Sequence, residues 1–275
     1  MNGKKRRSIF KQAKYWVEEA GFIIRSKINN DLKIDTKLHE DDLVTEVDRE
    51  IEKYFVEKIK EKYPDHLILG EEGYGDNVTS MKGTIWIVDP IDGTKNFVHQ
   101  KKNFAISVGI YQDGIGEVGL IYDVMADVLY SAIREEGAYR NGEKINKLKR
   151  DTKLEEAIFS FKHELLCKSE EFNAQVIEDL VTTIRGVRYG GTASLEIAQV
   201  VAGTSDAYIS QKLSPWDIAA GIIILTEVGG VAFRSDGEAM NILETGTVVV
   251  CNEVLKERIL DSLQGWHENK SLVHD

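Results

Sequence analysis

The sequence predicts an α+β chain that passes from an antiparallel-sheet half, residues 1–148, into a layered α/β half, residues 149–275. Two amphipathic helical patterns open the chain, five short apolar runs follow, and beyond about residue 150 strands alternate with helices. No internal repeat, low-complexity stretch or Pro/Gly/Ser linker divides the halves, so they are expected to share an interface.

The first helix is expected over residues 8–28, where Ile9, Phe10, Ala13, Trp16, Val17, Ala20, Ile23 and Ile24 recur at helical spacing. Ahead of it, Lys4-Lys5-Arg6-Arg7 reads as a solvated tail, because no apolar stretch follows it as in a signal peptide. A second helix should begin near Thr45, bury Val47, Ile51, Tyr54, Phe55 and Ile59, and stop before Pro64, whose ring disfavours helical backbone just ahead of it. Residues 67–69, 85–88, 104–111, 118–122 and 128–133 then read as strands. Asp113-Gly114 and Ala126-Asp127 separate the last three by gaps short enough for antiparallel hairpins, and Asn141-Gly142 marks a further turn. In the second half, helices are expected at 168–184, 193–202, 216–228 and 253–263.

Hydrophobic residues at 42% and charged residues at 29% are the composition of a folded globular protein. The formal net charge of -11 repels nucleic-acid phosphates and argues against nucleic acid as the main partner. No apolar run approaches the roughly 18 residues of a membrane span, so a cytoplasmic protein without a membrane partner is expected. Cys167 and Cys251 form no CxxC pair, which leaves neither a disulfide framework nor a zinc site and suggests two buried thiols.

Some motifs fail on context. Gly114-Ile115-Gly116-Glu117-Val118-Gly119 matches the dinucleotide pattern GxGxxG, but a strand follows it where that motif requires a helix, so a glycine-rich hairpin is expected. His163-Glu164 lacks the second histidine of a zinc-protease helix, and Ser8 to Lys11 matches SxxK without the companion motifs. His39, His66, His99, His267 and His274 show no ligand spacing.

The informative segment is Trp86-Ile87-Val88-Asp89-Pro90-Ile91-Asp92-Gly93-Thr94, a buried strand that empties into two carboxylates. Pro90 should force an extended exit, across which Asp89 and Asp92 can aim at one point. Two buried, unpaired carboxylates repel, and a hard cation relieves them; oxygen ligands without cysteine or histidine favour Mg²⁺. Gly93 and Thr94 fall at an expected helix start, where unpaired N–H groups can cradle a phosphate. Each acid also has a structural explanation. Asp89 and Asp92 can end a strand and cap a helix, and Glu71-Glu72 can be a solvated loop after a short strand. Asp217 in Ser214-Pro215-Trp216-Asp217, like Asp48 after Thr45, sits at a capping-box position. Two of the 3 prolines lie inside acid-bearing motifs, fixing backbone where ligand geometry matters, and this favours function.

In order, Asp42-Leu43-Val44-Thr45-Glu46-Val47-Asp48, Gly70-Glu71-Glu72, Asp89-Pro90-Ile91-Asp92-Gly93-Thr94, Gly191-Thr192-Ala193 and Trp216-Asp217 closely resemble the inositol monophosphatase family over nearly the whole chain. The resemblance implies a layered αβαβα sandwich of the inositol monophosphatase and fructose-1,6-bisphosphatase type, a homodimer, and an active site between the halves. It implies that Glu71, Asp89, the Ile91 carbonyl, Asp92 and Asp217 bind two or three Mg²⁺ ions, and that Li⁺ inhibits. Thr94, held by Asp48, is then expected to orient the attacking water together with Glu71. Asp92, Gly93, Thr94, Gly191, Thr192, Ala193, Ser210 and Asp217 are expected to line the substrate site. The metals would lower the pKa of a water and neutralise the phosphate in an in-line displacement.

One position departs from the family pattern. Where inositol-selective members carry a glutamate before the Trp-Asp motif, this chain has Ser210, with Lys212 close by. Losing that carboxylate removes an acceptor for vicinal hydroxyls and an anionic wall against doubly charged substrates. Inositol 1-phosphate is the expected substrate, with the 2'-phosphate of NADP, fructose 1,6-bisphosphate and nucleotide phosphates as alternatives. A regulatory binding protein and a metal-binding scaffold without turnover are readings of another class; the presence of all the acids and of Thr94 argues against both.

Overall fold

Helix α1 (Gly3–Lys27) begins at Asn2, whose side-chain oxygen accepts from the Lys5 N–H at 2.9 Å, so the basic cluster lies inside the helix. The expectation of a solvated tail is therefore corrected. Arg6 is buried against the fully buried carboxylate of Glu117, which also receives the Met1 amine at 2.7 Å, and Arg7 pairs with Glu136 at 3.0 Å. A buried carboxylate needs a cation, and the first turn of α1 delivers one. Arg6→Ala should cost about 2 to 3 kcal/mol in urea unfolding because it strips Glu117 of a partner, whereas Arg7→Ala should cost about 0.5 kcal/mol or less.

The structure, a computed structural model, describes residues 1–30, 33–36, 43–162, 165 and 174–263. Two short strands that the sequence did not announce, β1 (Ile34–Thr36) and β2 (Leu43–Thr45), pair antiparallel and lead into α2 (Glu46–Lys62). Then come β3 (Leu67–Gly70), β4 (Thr84–Asp92), the short helix α3 (Thr94–Gln100), β5 (Ala105–Gln112), β6 (Ile115–Asp123), β7 (Val128–Ile133), β8 (Gly137–Arg140) and β9 (Glu143–Lys144). These strands form a seven-stranded sheet in sequence order, with β3 parallel to β4 and every other neighbour antiparallel.

Side-chain alternation splits β4 between two cores. Trp86 and Val88 join Trp16, Val17, Ile51 and Phe55 of α1 and α2, whereas Ile85 and Ile87 face the opposite way. Burial on both faces explains why β4 reads as a continuous apolar run.

The second half contains β10 (Ile158–Phe161), α4 (Ala174–Thr183), β11 (Gly186–Arg188), α5 (Ala193–Val201), β12 (Ala207–Leu213), α6 (Pro215–Val228), β13 (Gly230–Phe233), β14 (Gly246–Asn252) and α7 (Lys256–Leu263). Its five-stranded sheet has the order β11-β10-β12-β14-β13. Helices α5 and α6 lie between the two sheets, with Ile197, Ile218 and Ile224 packed among Ile87, Tyr208 and Val250. Helices α4 and α7 cover the outer face, where Ile177, Leu180 and Ile259 meet Phe159, Phe161 and Ile209. The result is the αβαβα layering that the family resemblance implied.

The glycine motif on β6 serves this layering. A Cβ on Gly119 would stand 2.6 Å from the Ala220 carbonyl oxygen, and one on Gly109 of β5 would stand 2.8 Å from Ala219, so α6 rests directly on bare backbone. Boundaries differ modestly from expectation. The helix expected at 168–184 is α4, with 166–173 outside the described residues, and the last helix opens with a 3₁₀ turn at Glu253–Leu255. Cys251 is a buried free thiol; Cys167, His39, Asp42, His163, Glu164, His267 and His274 lie outside the described residues. Among the described residues, no helix is long and apolar enough to cross a membrane.

Candidate active site

Strand β4 does not end at Pro90 but continues through a bulge to Asp92, which corrects the expected exit. Asp89 pairs with Ser107 and Asp92 with Ala105, so three steps along β4 match two along β5. Strict alternation would put Asp89 and Asp92 on opposite faces; the extra residue of the bulge turns both to the same one. A bulge is also where a central strand tolerates proline, which has no N–H to give to the ladder. The Ile91 N–H folds back onto Asp89 Oδ1 at 3.0 Å.

Asp217 arrives from the other side on the first turn of α6. Ser107, the partner of Asp89, donates to the Trp216 carbonyl at 3.2 Å, and Tyr111 donates to the Ala219 carbonyl at 2.9 Å, fixing that turn over the end of β4. Asp217 Oδ2 accepts from the Ser214 N–H at 2.6 Å, the capping-box bond. Asp92 Oδ2 accepts from Ser194 N–H at 2.6 Å, in the first turn of α5. One oxygen of each acid is thus tied to backbone. Asp89, Asp92 and Asp217 each bring an oxygen within 4.8 Å of the others.

Glu71 follows β3, whose parallel register sets Gly70 beside Val88 and therefore Glu71 beside Asp89, whose carboxyl its negative charge helps to raise. Its loop is held by Glu52 of α2, a buried carboxylate that accepts from the Glu72 N–H at 2.6 Å and the Tyr74 N–H at 2.7 Å. Asp48, one turn before Glu52, caps α2 through its Oδ2, which accepts from the Thr45 N–H at 2.9 Å. Its Oδ1 accepts from the Thr94 hydroxyl at 3.1 Å, a distance that hydroxyl also keeps to the Ile91 carbonyl.

Beside this cluster, Asn96 of α3 donates to the Gly190 and Asn103 carbonyls at 2.8 Å, and Thr192 donates to the same Asn103 carbonyl at 2.5 Å. This network anchors residues 190–192 beside Gly93, whose left-handed backbone (φ 91°) and contact with Thr192 Oγ1 leave no room for a Cβ. Ala193 is buried where α5 begins. Ser210 is fully buried, and its hydroxyl has no hydrogen-bond partner among the described residues. Lys212 is exposed, and the cation whose charge acts on Asp217 is Lys162.

Packing these acids together has an electrostatic cost. Burial, then the charges of Glu71, Asp92 and Asp217, hold the Asp89 carboxyl well above the usual carboxylate range. Burial and Asp92 do the same to Asp217. Burial pushes Asp92 up to about 6 against the pull of Ser194, and pushes Asp48 up to about 6 against the hydrogen bonds from Thr45. Such a cluster suits a cation. Its donors are all oxygens, without thiolate or imidazole, and the backbone bonds to Asp92 and Asp217 leave the second oxygen of each available. These residues fit a hard divalent ion such as Mg²⁺.

The structure thus brings together Asp48, Glu71, Asp89, Ile91, Asp92, Gly93, Thr94 and Asp217 and sets Gly191, Thr192 and Ala193 at the rim, with Ser210 beneath the surface. Sequence reasoning missed Glu52, Asn96, Ser194 and Lys162. Glu52 had a signal, being an acid between Ile51 and Phe55 on the apolar stripe of α2; the others became visible through contacts distant in sequence.

A family model described as the inositol monophosphatase family matches residues 5–268. The chain is 46% identical over 249 residues to the inositol-1-monophosphatase of Bacillus subtilis (strain 168), covering 90% of this chain and 94% of that one. The crystal structure of inositol monophosphatase-II from Staphylococcus aureus MSSA476 matches with a TM-score of 0.87 at 40% identity, covering 97% of each chain. An IMPase/NADP phosphatase complexed with Mg²⁺ and phosphate matches with a TM-score of 0.86 at 30% identity, covering 94% of this chain and 95% of that one.

Proposed function

Because the chain belongs to the inositol monophosphatase family, we propose that it is a Mg²⁺-dependent phosphomonoesterase that hydrolyses inositol 1-phosphate to inositol and phosphate. The observation that carries this reading is the convergence of Asp89, Asp92 and Asp217 next to Glu71 and Thr94. Glu71, Asp89, the Ile91 carbonyl, Asp92 and Asp217 would hold two or three Mg²⁺ ions, which supply charge neutralisation for the phosphate and a lowered pKa for water.

The chain's own groups then position the reactants. The Thr94 hydroxyl has one proton and two acceptors within reach, Asp48 Oδ1 and the Ile91 carbonyl. When it donates to Asp48, its lone pairs accept from the attacking water, and Glu71 accepts the second proton of that water. The N–H groups of Gly93 and Thr94 receive phosphate oxygens at the start of α3, and Gly191, Thr192 and Ala193 meet the hydroxyls of the alcohol. Ser210 in place of a carboxylate supports a second substrate group, NADP at its 2'-phosphate and fructose 1,6-bisphosphate.

The test is phosphate release from inositol 1-phosphate, NADP and fructose 1,6-bisphosphate, with Mg²⁺ and with chelator. Release from at least one ester that stops on chelation is expected, with Li⁺ inhibiting; no release from any of them refutes the reading. We further propose a cytoplasmic homodimer, which sedimentation tests, and two structural halves at 1–148 and 149–275, which limited proteolysis tests.

Ion binding should displace protons. Asp92, one of the ligands proposed above, is pushed up to about 6, so below that pH it is largely neutral and a poor partner for a cation. Apparent Mg²⁺ affinity should therefore rise with pH between about 5 and 7, by up to about tenfold per pH unit for each proton displaced. The metal-free fold should behave oppositely. Folded-state values raised above the unfolded ones confer stability at low pH that is lost as pH rises from about 4 through about 6. Melting curves with chelator and with Mg²⁺ at both ends of this window read out both trends.

A further inference from the structure

Strands β10 and β12 run parallel with Ser160 beside Tyr208 and Phe161 beside Ile209, and the Lys162 N–H donates to the Ile209 carbonyl at 3.2 Å. The next step of this register sets Lys162 beside Ser210. Phe159, Phe161, Ala207 and Ile209 all enter the outer core under α4 and α7. By alternation, Ser160, Lys162, Tyr208 and Ser210 face the opposite side, where α5 and α6 pack and Asp217 stands in the first turn of α6. The charges agree with this placement: Lys162 acts on Asp217, and the Tyr208 hydroxyl feels both Asp92 and Asp217.

We infer that Lys162 forms a cationic subsite beside the aspartate cluster for a second anionic group, a phosphate or pyrophosphate, on the alcohol part of the substrate. The inference rests on the phosphomonoesterase reading above and names the substrate class that the site prefers. Lys162 is only partly buried, so a ligand can reach it, while its strand neighbour Ser210 is short, uncharged and fully buried. A glutamate in place of Ser210 would start from the neighbouring strand, about 5 Å away, on the same face. It would pair with Lys162 and cancel the subsite. Position 210 therefore sets specificity through Lys162, and a buried serine needs no direct contact with the substrate.

The experiment compares kcat/KM for fructose 1,6-bisphosphate and NADP with that for inositol 1-phosphate in wild type, Lys162→Gln, Lys162→Arg, Ser210→Glu and the double variant Ser210→Glu/Lys162→Gln. Lys162→Gln should lower the ratio of doubly anionic to singly anionic turnover about tenfold, mainly through KM, and Lys162→Arg should keep most of it. Ser210→Glu should lower the ratio similarly, and adding Lys162→Gln to it should lower it little further, because both changes remove the same charge. If Lys162 served only to offset the acids, Lys162→Gln would change all esters by the same factor; an unmoved ratio overturns the inference while phosphatase activity stands. Failure of wild type to hydrolyse any ester overturns the phosphatase reading and this inference with it.

Discussion

Asp89→Asn should lower Mg²⁺-dependent phosphate release by about 10³-fold or more and, in the same protein, raise the melting temperature of the metal-free state. Both effects have one cause. Asp89 is buried among Glu71, Asp92 and Asp217, which together with burial raise its carboxyl far above the usual range. Without an ion, that carboxyl opposes folding as it ionises, and the near-isosteric amide relieves the repulsion while its oxygen still accepts from the Ile91 N–H. With Mg²⁺ the ranking should invert, since wild type gains stability from an ion bound only to the folded state and the variant gains little. The readout is two melting curves per protein, with and without Mg²⁺, beside the phosphate assay. Activity retained in Asp89→Asn, or an equal Mg²⁺-induced shift in both proteins, would sink the assignment of Asp89 as a ligand.

Competition between cap and ligand is resolved at the level of single oxygens. Asp48 and Asp217 stand in capping-box positions, and the structure contains both caps. Yet a carboxylate has two oxygens, and capping occupies one. Asp217 Oδ2 is bound to Ser214, Asp92 Oδ2 to Ser194 and Asp48 Oδ2 to Thr45. The backbone bonds that make these residues look ordinary in sequence also fix their orientation at the site.

Local pattern reveals elements and fails where pairing decides. The apolar periods of α1, α2 and the central strands were legible because burial of one face or two leaves a direct trace in the residue order. The bulge at Pro90 was not, since an extra residue shows only against the partner strand; its consequence, Asp89 and Asp92 aimed together, could be inferred from chemistry alone. Arg6 looked solvated because its partner Glu117 lies 111 residues away on β6. The glycines of β6 looked like a cofactor motif because bare backbone serves phosphate approach and helix docking equally well. Lys162 and Ser210, 48 positions apart in the chain, became neighbours only through the register of β10 and β12.

Asp48→Asn should reduce kcat about a hundredfold with little change in KM, and should cost at most about 1 kcal/mol of stability. The Thr45 N–H, 2.9 Å from Asp48 Oδ2, demands an acceptor, so the amide oxygen of the variant must take that position and preserve the cap. Its nitrogen is then forced to the Oδ1 position, 3.1 Å from the Thr94 hydroxyl, where an N–H meets the oxygen that a carboxylate would have received a proton from. Thr94 must turn its proton to the Ile91 carbonyl and spend a lone pair on the new donor, leaving less for water. Thr94→Val should lose a comparable factor and Thr94→Ser should lose little. With Mg²⁺ held saturating, so that the ligand carboxylates stay ionised, wild type should show an acid limb in kcat at or below about 6, as protonation of Asp48 imposes the same reversal, and that limb should shrink in Asp48→Asn. If kcat is unchanged while the melting temperature falls, Asp48 is a helix cap and nothing more, and the proton of Thr94 is directed by the Ile91 carbonyl alone.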